Sequence, residues 1–154
     1  LLRDRYYPSV KVSVLSNSTM LSKSAVVEAL KKVDNNILKL DSAVAPTLRA
    51  INQPASSGVL PEGVIADLKK FDGKCIVQTM FLRGEHNGKK IDNTTDAEVN
   101  ALIEAYKEIA PQEVMIYSID RKTPEENLEK VSKEELEAIG KRIEAAGIKV
   151  QVNA

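Results

Sequence analysis

Five short apolar runs divide this chain, and each is followed by residues whose apolar positions repeat at helical spacing. The runs are Val10 to Leu15, Ile37 to Asp41, Cys75 to Leu82, Val114 to Ile119 and Ile148 to Val152. They recur at roughly the 30-residue interval of a strand–helix–strand unit. Between them lie Val26, Val27, Leu30 and Val33, then Val64, Ile65 and Leu68. Further on come Leu102, Tyr106 and Ile109, then Leu136, Ile139 and Ile143. Each set makes one face of a helix. Ser132 with Glu135 forms a capping-box pattern ahead of the last helix. Regular alternation of this kind predicts an α/β fold with a parallel (β/α) repeat and right-handed crossovers. Either an open doubly wound sheet or part of a β/α barrel satisfies it.

At 154 residues the chain fits one domain, and its 22 basic and 22 acidic residues cancel. That balance argues against a nucleic-acid partner. No apolar run is long enough to span a bilayer, and no signal peptide is visible, so a cytoplasmic address is expected. Cys75 and His86 are the lone members of their types. Together they make neither a disulfide, nor a four-ligand zinc site, nor an iron–sulfur cluster site, so no metal site is expected. Cys75 reads as a buried inert thiol and His86 as a solvated loop residue. Leu1 to Tyr7 reads as the last turns of a helix stopped by Pro8. The chain is therefore expected to be a truncated single domain, 1–154, that starts inside a helix.

In either architecture ligands bind at the carboxyl ends of the strands. Those ends are polar here: Ser16-Asn17-Ser18, Asp41-Ser42, Arg83 with its loop, and Asp120-Arg121. Ser13, Lys39, Gln78 and Ser118 also interrupt the apolar runs. Lys39 and Asp41 stand two apart, so a strand puts them on one face. Buried groups of this kind need partners or a ligand. The plainer reading is a Lys–Asp pair at a sheet margin and ordinary end-of-strand solvation. The stretch from Arg83 to Asn93 exceeds the usual two to six residues of a βα loop, which suggests a lid or binding loop. There is no G-x-G-x-x-G, no P-loop lysine pattern and no nucleophile–base spacing, so catalytic residues stay unassigned.

Lys39-Leu40-Asp41-Ser42, Ile51-Asn52-Gln53-Pro54, Ile76 to Gly84 with Asn87, and Asp120-Arg121-Lys122-Thr123-Pro124 form an ordered series. It resembles the radical S-adenosylmethionine (SAM) iron–sulfur oxidoreductases of the wyosine-synthetase-related group. The resemblance runs from about Val10 to Val152 and implies the C-terminal four to five strands of a partial TIM-like barrel. Val10–Leu15 would be its third strand, Ile37–Asp41 the fourth, Cys75–Leu82 the fifth and Val114–Ile119 the sixth. The C-x3-C-x2-C loop that holds a [4Fe-4S] cluster in the family, and its G-G-E-P-like motif, are absent from this sequence. The resemblance implies cofactor contacts at Ser16 and Asn17, at Asp41 and Ser42, and at Gln78, Met80 and Leu82 near the adenine. It implies Ser118, Asp120 and Arg121 at the mouth, with Lys39 as an interior partner for a carboxylate.

The family chemistry is one-electron cleavage of SAM to a 5′-deoxyadenosyl radical. A chain without the thiolate loop is expected not to bind the cluster or to carry out that reaction alone. The third strand would then have an open edge, through which the chain is expected to self-associate. The competing reading is a cluster-free β/α module that binds a small polar ligand or a partner. A phosphate-binding β/α-barrel lyase is a third, but it lacks the expected late glycine-rich phosphate loop.

Overall fold

The computed structural model describes residues 2–56, 58–120 and 127–153. Its elements follow the predicted alternation. They are α1 (Leu2–Tyr6), β1 (Ser13–Ser16), α2 (Ser24–Leu30), β2 (Asn35–Lys39), α3 (Ala45–Asn52), α4 (Pro61–Lys69) and β3 (Ile76–His86). After them come β4 (Lys89–Asp92), α5 (Asp96–Ile109), β5 (Glu113–Ser118), β6 (Leu128–Lys130), α6 (Lys133–Ala145) and β7 (Val150–Asn153). The parallel strands lie in the order β1-β2-β3-β5-β7. The parallel α/β fold read from the sequence is the fold observed.

Helix starts follow local chemistry. Thr95 caps α5 by accepting from the Glu98 N–H, and Ser132 with Glu135 closes the capping box of α6. Pro61 occupies the first turn of α4, where its missing N–H costs nothing.

One face of the sheet is packed and the other is open. Leu38, Val77, Phe81, Val114 and Ile116 are buried in the same core as Val27, Leu68, Leu102, Tyr106, Leu136 and Ile143 of the helices. Along β2 and β5 buried and half-buried residues alternate strictly. The nearly continuous apolar run Cys75–Leu82 is nonetheless not covered on both sides, since Gln78 and Met80 are only half-buried. A parallel sheet with helices on one face and a half-polar second face is the wall of a partial barrel rather than a doubly wound sheet. Cys75 is buried at the amino end of β3, and burial pushes its thiol up to about 11. It is the inert thiol that was expected.

The long stretch after Arg83 is not a loop. β3 runs on through His86, turns at Asn87-Gly88, and returns as β4 in antiparallel register, Arg83 opposite Asp92. Asn87 and Gly88 have φ of 50° and 72°. An Asn-Gly pair supplies this doubly left-handed turn without strain, and it was the missed hairpin signal. On its other side β3 pairs antiparallel with β6. A three-stranded ribbon thus stands on the carboxyl end of the parallel sheet.

β1 is an edge strand with Leu15 66% exposed, and Tyr7, Val10 and Met20 nearby in sequence are exposed too. Unpaired backbone beside apolar side chains is a template for association. Light scattering is expected to show concentration-dependent oligomers that Leu15→Lys suppresses. A monodisperse monomer at high concentration would remove this expectation.

Candidate functional site

The open face carries a polar array whose order follows from strand register. Lys39 pairs with Gln78, and Gln78 with Met115. One row further toward the carboxyl ends, Met80 pairs with Tyr117 and Tyr117 with Asn153. Because side chains alternate, the residues of both rows point from the same face. Gln78, Tyr117, Ser118, Asp120, Lys130 and Asn153 line a cleft of about 350 Å3 there.

Asp41 is the centre of the charge balance. It is fully buried, its Oδ1 accepts from the Met80 N–H at 2.9 Å, and Lys39 Nζ lies 3.1 Å from Oδ2. Burial raises the Asp41 carboxyl above its usual range, while the Lys39 charge and the Met80 N–H pull it back. Burial alone would lower Lys39, but the charge of Asp41 and hydrogen bonds to Asp41 and Tyr117 outweigh it and favour the charged ammonium. Burial raises the Tyr117 phenol, against the pull of Lys39. The same-face Lys–Asp placement read from the sequence is thus a real ion pair, and Tyr117 is the third member that sequence reading did not single out.

Three buried polar atoms lack an aligned hydrogen bond among the described residues: Asp41 Oδ2 itself, Asn52 Oδ1 beside it, and Ser18 Oγ in the turn after β1. The 3.1 Å ion pair to Oδ2 satisfies its charge without the alignment of a hydrogen bond. Native interiors rarely leave such atoms unmatched, and all three accept hydrogen. They call for a donor.

The other expected site residues fall into distinct places. Ser16 Oγ accepts from the Ser18 N–H, and the exposed Asn17 bonds Thr19, so both build the turn after β1. Ser18 has φ 64°, a left-handed conformation that glycine adopts most readily. The Ser42 hydroxyl is held inside the protein by Glu98 at 2.6 Å and by the Val44 N–H. The Ser118 hydroxyl donates to Phe81 O and accepts from the Val131 N–H, both at 2.8 Å. Ser118 thus lines the cleft, while both hydrogen-bonding roles of its hydroxyl are taken up by the protein backbone. Leu82 is 2% exposed and Asp120 is exposed. Arg121, with Lys122 to Pro124, lies outside the described residues.

Asn93 was not foreseen. It is fully buried, accepts from the Leu82 N–H, and donates to Asp41 O and Met80 O at 2.8 Å. The sequence had pointed to Asn87, which sits exposed at the hairpin tip. Lys130 and Asn153 were also missed, because they come from strands too short or too late to stand out.

No known family model matches the sequence, and no curated protein does. Solved structures do match. A domain of pyruvate-formate lyase-activating enzyme from Bacteroides vulgatus superposes with a TM-score of 0.69 at 12% identity, over 96% of this chain and 83% of that one. A radical SAM methyltransferase from Sphaerobacter thermophilus gives 0.66 at 15% identity, over 92% and 39%. The fold is shared with radical SAM enzymes. SuiB from Streptococcus suis, in complex with S-adenosylmethionine, gives 0.65 at 15% identity over 94% of this chain and 33% of its own. The chain thus spans well under half of the latter two chains, 39% and 33%, and most of the first. Among the described residues no helix is long and apolar enough to cross a membrane.

Proposed function

We propose that this chain is the cofactor-binding C-terminal part of a radical SAM enzyme's barrel, of the wyosine-synthetase-related kind. The observation that carries the reading is the buried Asp41 carboxylate on the open polar face, paired with Lys39 and accompanied by the buried Asn52 Oδ1, which lacks an aligned hydrogen bond among the described residues. A SAM molecule brings a ribose diol and an ammonium, which are donors that buried acceptors can take. Asp41 and Asn52 would take those hydrogens. Gln78, Met80 and Tyr117 would line the wall, and Lys39 would hold Asp41 charged. The SAM complex of SuiB supports the same ligand class on this fold.

The [4Fe-4S] cluster does not fit the residues present. The lone thiol, Cys75, is buried at the end of β3 away from the site, and among the described residues no group of three His, Cys, Asp or Glu is placed to hold a metal. Reductive cleavage of SAM therefore belongs to the longer protein, and this chain by itself is inactive in it. The alternative function is a cluster-free module for a small polar ligand or partner, as the parent gene would reveal.

Titration calorimetry with SAM is expected to show weak binding that Asp41→Ala abolishes, and the coding sequence before Leu1 is expected to contain C-x3-C-x2-C. A gene without that triplet would replace the proposal with the alternative. A Kd unaffected by Asp41→Ala would remove the site assigned here.

A further inference from the structure

The Ile51-Asn52-Gln53-Pro54 motif touches both sides of the site. Helix α3 ends at Asn52, and Gln53 follows with φ 40°, its backbone N–H donating to Arg49 O. This left-handed step sends two neighbouring carboxamides in different directions. Asn52 goes inward: its Oδ1 is buried, and its carboxamide helps stabilise the charged Asp41. Gln53 goes outward: its Nε2 lies 2.9 Å from His86 Nε2, at the end of β3. Asn87 Nδ2 stands 2.8 Å from the same ring nitrogen. With two amide donors aimed at it, Nε2 is the accepting nitrogen of the imidazole. At its base the β3–β4 hairpin is tied to the site as well, through Asn93 to Asp41 O. The hairpin is thus fastened to the Asp41 segment at its root, and at its tip to the residue next to Asn52.

We propose that the Asn52–Gln53 turn holds the Asp41 carboxylate and the β3–β4 hairpin as one unit, with Gln53 and His86 acting as positioning residues for Asp41. Asn52 and Gln53 share one helix end, so displacement of the hairpin tip pulls on the group beside Asp41 across a single residue. The importance of this for ligand binding rests on the SAM reading above. The mechanical link does not.

The Met80 N–H reports the link directly, because it donates to Asp41 Oδ1. Amide hydrogen exchange, followed residue by residue without ligand, is expected to speed up at Met80 about tenfold or more in Gln53→Ala and in His86→Ala. His86→Gln restores an acceptor and should return most of the protection. Asn87→Gly keeps the left-handed tip and removes only the local donor, so it should leave Met80 unchanged. The proposal is overturned if Met80 keeps its protection in Gln53→Ala and His86→Ala while only hairpin amides speed up. It is also overturned if Asn87→Gly reproduces the His86→Ala result. Should His86→Ala fail to fold, Gln53→Ala at an exposed position gives the same readout. A failed SAM titration leaves this outcome untouched.

Discussion

Asp41→Asn is expected to abolish ligand binding while leaving the protein as stable as before, or more stable. The amide keeps an oxygen for the Met80 N–H and gains a donor that the buried Asn52 Oδ1 now lacks. Lys39 loses its partner, but its side chain is 26% exposed and can turn its ammonium to water. Asp41→Ala is a different case. It strips the Met80 N–H and the ammonium of their acceptor together, a loss of about 3 kcal/mol or more by analogy with broken buried pairs. The pH dependence separates the two effects. The folded Asp41 carboxyl is raised above the ordinary value of 3.8. A group raised on folding contributes stability that is present below its unfolded pKa and lost as pH rises through the folded one. Wild-type stability therefore falls relative to Asp41→Asn as pH rises above the ordinary carboxyl value of 3.8. Denaturant midpoints for both proteins across that range, with SAM titrations beside them, check the claim. A variant that is less stable at every pH and still binds SAM would mean that the carboxylate is structural.

This contrast explains why the site was only partly legible in the sequence. Strand alternation alone placed Lys39 and Asp41 together, because period two is a local property of the backbone. The alternation of strands with helices predicted the parallel sheet. Ser42 and Ser118 were legible only as polar residues at strand ends. Their hydroxyls are claimed by Glu98, 56 residues on, and by the backbone of Val131. Such partners arrive through tertiary contacts that no local pattern encodes. Tyr117 was missed for the opposite reason: it looks like an ordinary apolar strand residue until register sets it beside Met80. The hairpin differs from the expected loop because Asn87-Gly88 favours a tight left-handed turn, which folds the long stretch into paired strands.

Gly84→Ala is expected to detach β6 from the sheet, at a cost of about 3–5 kcal/mol, among the largest for a single substitution. Gly84 has φ 134°, which side chains rarely adopt, and a Cβ there would lie 2.1 Å from Asn127 O and 2.8 Å from Leu128 Cα. Both are backbone atoms, one in β6 and one just before it, so no rotamer change relieves the contact. The neighbouring Glu85 N–H bonds the same Asn127 oxygen, which fixes the approach. Either β6 moves away or β3 gives up its conformation. In the first case Lys130 leaves the cleft, and Val131, fully buried, loses the register that brings its N–H to Ser118. Gly88→Ala is the control. It has φ 72° and open space around the added carbon, so it carries only the left-handed strain of about 1–2 kcal/mol. Urea unfolding of the two variants should differ by about 2 kcal/mol or more, with lost protection at the Leu128–Lys130 amides in Gly84→Ala alone. Equal destabilisation of the two would mean that strain, not the β6 contact, is what requires glycine after Arg83.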